Sequence, residues 1–177
     1  MLFRYPYIYY RLLALPNLVT YNRSINDMTT VYDVPAKEFI DELAKKLQND
    51  KTIQTPDSNI YSKTGVSREN PPEKHDWWYT RCASILRKVY INNTIGIEHL
   101  RAEYGGRHDR GSKPYKALSG SGTIVRRALH QLEAAGYLSK VKGKGRTLTP
   151  KGRSFLDNTA HDVLKNVKDY YPGLEKY

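Results

Sequence analysis

The sequence predicts a mostly α, winged-helix-like helical bundle with one small β-hairpin. Three observations carry that expectation. Several segments repeat their apolar residues at helical spacing. Two short runs, YLSKV and TLT, flank the basic turn KGKGR as strands flank a hairpin turn. Helix, helix, hairpin, helix is the order of the last four elements, and that is a winged-helix order. A chain of 177 residues is long enough for one such domain with a real core, and two full domains would be cramped.

In MLFRYPYIYYRLLALPNLVTYNRSIND, Pro6, Arg11 and Pro16 cut the apolar run. It makes neither a span of roughly 20 apolar residues nor a signal-peptide core. Residues 1–27 are expected outside the fold, as an extension upstream of a natural start at Met28. A single domain follows over 28–170, and residues 171–177 form a short tail. From Asp33, Pro35 suits a first helical turn, and Phe39, Ile40, Leu43 and Leu47 recur on one face. The stretch from Asn49 to Asp76 has no period and reads as an irregular surface connection.

Asp76 then caps HDWWYTRCASILRKVY. A helical wheel gathers Trp78, Cys82, Ile85, Leu86 and Val89 on a core face, with Tyr79 and Tyr90 at its edge. The opposite face collects Trp77, Thr80, Arg81, Ser84, Arg87 and Lys88, and Trp77 stands one turn from Arg81. IGIEHLRAEYGG is a short helix with Ile97, Leu100 and Ala102 partly inward, stopped by Gly105 and Gly106. Arg107 to Gly122 reads as a long loop carrying Arg107, Arg110, Lys113 and Lys116. TIVRRALHQLEAAG turns Val125, Ala128, Leu129 and Leu132 inward and Thr123, Arg126, Arg127, His130 and Glu133 outward, and Gly136 ends it. The hairpin brings Lys142, Lys144 and Arg146 to its turn, and Thr149 and Pro150 open the closing helix PKGRSFLDNTAHDVLKNV.

The charge narrows the function. Lys and Arg total 29 against 18 Asp and Glu, a net charge of +11, while 39% hydrophobic residues is the content of a folded chain. A folded, strongly basic domain points to a polyanion, and nucleic acid is the commonest, because phosphate neutralisation releases condensed counterions. Between Arg101 and Arg153 only Glu103, Asp109 and Glu133 oppose the cations. Cys82 is the sole cysteine, which excludes an internal disulfide and fits a reducing interior. Enzyme motifs fail: Gly106 and Gly111 have P-loop spacing, but Ser112 precedes Lys113 in reversed order. The five histidines lack metal-ligand spacing, so no metal, cofactor or small-molecule substrate is expected.

Four motifs agree in order and spacing with one family. WWYTRCASILRKVY, YGGR, GSGTIVRRALHQLEAAGYL and GRTLTPKGRSFLD resemble the S19e family of small-subunit ribosomal proteins, over about Thr30 to Val167. YSKTGVSRENPPE is similar to the archaeal rather than the eukaryotic members. The resemblance implies a cytoplasmic structural protein of the small ribosomal subunit, not an enzyme. It implies binding to ribosomal RNA in the subunit head, beside neighbouring small-subunit proteins, and a part in subunit maturation, with no membrane association. It places the family's basic surface on Arg81, Arg87, Arg126 and Arg127. Trp77, Lys88, Arg107, Arg110, Lys113, Lys116, Lys142, Lys144 and Arg146 complete the expected RNA-facing set. The alternative is a winged-helix DNA-binding transcription regulator. Such a protein joins its two reading helices by about 3 or 4 residues, and the long Arg107 to Gly122 segment opposes it.

The missing periodicity before Met28 leads to a direct expectation. A chain beginning at Met28 should melt at the same temperature as the full chain, measured by circular dichroism. A large loss of stability would mean that the aromatic extension packs on the domain.

Overall fold

In the computed structural model, residues 29–57, 61–168 and 170 are described, so the N-terminal extension, Met28 and the 171–177 tail lie outside the described residues. Five helices and five strands follow in the order α1 (Ala36–Gln48), α2 (Trp77–Asn92), β1 (Thr94–Ile95), α3 (Ile97–Glu103), β2 (Gly106–Arg110), β3 (Lys113–Leu118), α4 (Gly122–Ala134), β4 (Leu138–Val141), β5 (Gly145–Leu148) and α5 (Pro150–Val167). One antiparallel sheet has the order β1-β5-β4, and β2 pairs with β3 separately.

The helix ends follow from local chemistry. The Ser121 hydroxyl accepts from the Ile124 N–H and the Thr149 hydroxyl from the Gly152 N–H, each satisfying a donor that a first helical turn leaves open. At the end of α4 the Tyr137 N–H donates to Leu132 O at 3.0 Å and the Gly136 N–H to Glu133 O at 3.0 Å. This Schellman closure needs a left-handed residue, and Gly136 supplies it with φ +80°. Pro35 stands at the N-cap of α1, one residue before the helix. Asp76 occupies the N-cap of α2, but its side chain makes no capping bond.

The core assembles on α2. Trp78, Cys82, Ile85, Leu86 and Val89 are buried as the wheel requires, together with Ala83. Phe39, Leu43 and Leu47 of α1 and Val125, Ala128, Leu129 and Leu132 of α4 join them in one cluster. The Trp78 indole is wholly buried, yet its Nε1–H donates to Gln131 Oε1 at 2.9 Å. The Gln131 amide in turn donates to Gln54 O at 2.7 Å, so one side chain links α2, α4 and the connection between α1 and α2. At the far end of α4 the Tyr137 hydroxyl donates to Asp50, and its ring stacks on Phe155 with centroids 4.9 Å apart.

Three features differ from the sequence expectation. The expected loop over Arg107 to Gly122 is largely a second antiparallel hairpin, with a register irregularity between His108 and Arg110. Every residue from Arg107 to Ser119 is exposed, so no alternation of apolar and polar positions marks the strands. Thr94 and Ile95 form a third strand opposite Thr147 and Arg146, too short to carry a pattern. Ala102 is exposed and only Leu100 of α3 is fully buried.

Trp78→Ala should destabilise the domain by about 3 to 5 kcal/mol in urea unfolding. Gln131→Ala leaves the indole N–H buried without an acceptor and should cost about 1 to 3 kcal/mol. A Gln131→Ala chain as stable as the wild type would remove the hydrogen-bonded link from the account of the core.

Candidate nucleic-acid interface

Thirteen residues form the expected RNA-facing set, and the structure divides them by what their charges already touch. Arg81 is half-buried: one Nη donates to Thr64 O at 2.6 Å, and the guanidinium carbon lies 4.0 Å from the centroid of the Tyr104 ring. Burial lowers its pKa from the ordinary arginine value, although Tyr104 and Cys82 oppose the shift. The Tyr104 hydroxyl is held by Ser84 at 2.9 Å. Arg81 thus pins the connecting segment to α2 and α3 and does not stand on an open helix face. Trp77 is also half-buried, packed edge-on against Trp78 with centroids 5.7 Å apart.

Lys88 and Arg146 correct the expected surface too. Lys88 pairs with Glu103, which His99 also contacts at 3.1 Å. Burial would raise the Glu103 pKa, but the Lys88 hydrogen bond and charge, then those of His99, hold it below the usual carboxylate range. Arg146 is buried, and its Nε donates to Glu133 Oε1 at 2.8 Å. The strand position aims it across the sheet at α4 instead of out of the turn.

Arg87 is intermediate. It lines a cleft of ≈ 410 Å³ with Ile40, Ser84, Lys88, Ile91, Asn92 and Glu103, and its Nε is buried with no hydrogen-bond partner among the described residues. A buried donor without an acceptor is costly, and a bound anion would satisfy it.

The remaining cations are exposed. Arg107, Arg110, Lys113 and Lys116 stand on the β2–β3 hairpin, Arg126 and Arg127 on α4, and Lys142 and Lys144 on the wing turn. The three carboxylates between Arg101 and Arg153 each have a hydrogen-bond partner within the domain. Glu103 holds Lys88, Glu133 holds Arg146, and Asp109 accepts from the Gly111 N–H at 2.8 Å inside its own turn. Two residues not singled out from sequence shape the hairpin. Arg101 clamps its base: its carbonyl accepts from the Gly120 N–H at 2.8 Å and its Nε donates to Gly120 O at 3.2 Å. Tyr115 is 60% exposed, with the Arg107 guanidinium 5.3 Å from its ring centroid. The aromatic set among lysines in SKPYK was its only signal. Among the described residues no group of three or more His, Cys, Asp or Glu could hold a metal ion. Cys82 is buried, and burial pushes its thiol up to about 12.

The sheet order, the two capped helices and the exposed cations define a basic winged-helix-like domain with an inserted hairpin. The family model of "Ribosomal protein S19e" matches residues 30–166. The chain belongs to that family, as an archaeal-type member. It is 45% identical over 150 residues to small ribosomal subunit protein eS19 of Thermoplasma acidophilum, covering 85% of this chain and 99% of the relative. The corresponding protein of Haloarcula marismortui is 44% identical over 154 residues, again covering 85% and 99%. Protein eS19G of Ascaris suum is 37% identical over 139 residues, covering 78% of this chain and 94% of the relative.

The division between engaged and exposed cations is testable. Arg146→Ala should cost about 2 to 3 kcal/mol, the worth of a hydrogen bond between charged groups. Lys144→Ala at the exposed turn should change stability by less than about 0.5 kcal/mol. Equal melting temperatures for the two variants would contradict the buried assignment of Arg146.

Proposed function

We propose that this chain is a structural constituent of the small ribosomal subunit that binds ribosomal RNA in the subunit head, next to other small-subunit proteins, and supports subunit maturation. The role is structural, not catalytic. One observation carries the RNA-facing reading. A hairpin with both faces in water holds Arg107, Arg110, Lys113 and Lys116, while all three carboxylates between Arg101 and Arg153 are engaged within the domain. The hairpin buries none of its residues from Arg107 to Ser119 within the domain, and its charge fits phosphate. The names of the relatives support the same particle.

Within this reading the exposed cations of the hairpin, α4 and the wing turn contact the RNA backbone, and Arg87 offers its unsatisfied Nε to a phosphate. Arg81, Lys88 and Arg146 act from behind, holding Thr64, Glu103 and Glu133 and so shaping the surface. Trp77 packs against Trp78 and lines a cleft beside Arg81. A DNA-reading regulator is disfavoured because the β2–β3 hairpin occupies the place of the short turn between α3 and α4.

Arg110→Glu combined with Lys113→Glu tests the proposal. Neither side chain is buried, so the melting temperature should be unchanged. Co-sedimentation with small subunits should fall sharply. The salt dependence of RNA binding should weaken by about one unit of log–log slope for each phosphate contact removed. Normal assembly of this variant, with an unaltered salt slope, would leave the hairpin as a solvated face and remove the main support for RNA contact.

A further inference from the structure

Arg81 and Tyr104 stand between two clefts and line both. The first, ≈ 300 Å³, lies between residues 63–66, the base of the hairpin at His108 and Gly120, and the first turn of α4. Its walls include the apolar side chains of Val66, Ile124 and Val125, with Lys63 among the lining residues. The second, ≈ 360 Å³, runs past Ile40, Trp77 and Lys74. Neither cleft has a carboxylate among its lining residues.

This combination restricts the occupant. A free phosphate would have no use for apolar walls, and an apolar peptide side chain would have no use for Lys63, Arg81 and His108. A nucleotide uses both, since its base is a flat, largely apolar ring and its phosphate is an anion. Unpaired RNA bases are splayed out and stacked on aromatic rings or guanidinium planes, and the Arg81 plane is already fixed against Tyr104 at 4.0 Å. A volume of ≈ 300 Å³ is at the lower end of ligand pockets, which suits a single ring system. We propose that the cleft between residues 63–66 and the first turn of α4 receives one unpaired RNA base, drawn from a strand whose phosphates run along the β2–β3 hairpin. The inference rests on the RNA-facing reading above and adds a base pocket to it.

Gly65 is one of the residues that line the cleft. Its backbone is not in the left-handed region, and a Cβ placed there meets only Arg68 Cγ, at 4.0 Å. Two probes separate base from backbone: a single-stranded oligoadenylate of about 12 nucleotides carrying one 2-aminopurine, and an abasic strand of equal length. The wild-type chain should bind the base-bearing strand more tightly and quench the 2-aminopurine. Gly65→Phe should lose about ten-fold in affinity for that strand, restore the fluorescence and keep the abasic affinity. Gly65→Leu should show a smaller loss, and melts of both variants check that they fold. The wild-type quenching stands even if a variant does not fold.

Equal binding of both strands by the wild type, or an unaffected Gly65→Phe, would overturn the pocket and leave backbone contact intact. If Gly65→Phe binds both strands normally but fails to enter small subunits, the cleft seats a protein segment and the base assignment is wrong. Binding of neither strand by the wild type would overturn both this pocket and the RNA reading beneath it.

Discussion

A buried indole must keep its N–H bonded, and that requirement governs how α2 and α4 meet. Trp78 fills the centre of the core with no exposed surface, and Gln131 on α4 is the acceptor that makes this burial tolerable. The same amide reaches Gln54, so the connection from α1 is fastened at the point where the two helices touch. Once α2 and α4 are held in this register, their outer faces are no longer independent. Arg81 on one and the first turn of the other come to line a common cleft.

The domain handles its excess positive charge by dividing it. Three cations near the core have acceptors, Arg81 in Thr64 O, Lys88 in Glu103 and Arg146 in Glu133, whereas the buried Arg87 Nε has none among the described residues. Burying a charged group is affordable only with such partners. Matching them uses Glu103 and Glu133, and leaves Asp109 on the hairpin as the acid beside the exposed cations of this region. The pairing inside and the basic surface outside are two results of the same shortage of acids between Arg101 and Arg153.

Elements that bury one face and expose the other were legible in the sequence. α2, α4 and α5 each write their burial into a helical period, and the caps at Thr149 and Gly136 were visible as single residues. The β2–β3 hairpin was not, because a strand with water on both sides has no reason to alternate. β1 depends on Gly145, whose φ of +115° and missing Cβ let the Ile95 carbonyl approach, a contact made only after the chain has folded back. The candidate site was legible as a set of cations, but not by which of them are exposed and which are tied to other elements. A helical wheel places Arg81 and Lys88 opposite the core, yet Thr64 and Glu103 arrive from other elements, and nothing local to α2 announces them.

Exposed and engaged cations also differ in how they respond to solution conditions. A charge on the hairpin or wing is screened over about 8 Å at physiological ionic strength, so its influence on a distant strand is mainly steering and counterion release. Arg81 sits in a partly desolvated place against an aromatic ring, where attraction is stronger and salt reaches less. In the proposed RNA-bound state, raising salt would weaken the outer contacts first, while the geometry set by Arg81, Tyr104 and Thr64 persists. A surface built this way can release its long-range hold without losing shape, and whatever recognition the clefts supply then depends on fit more than on charge.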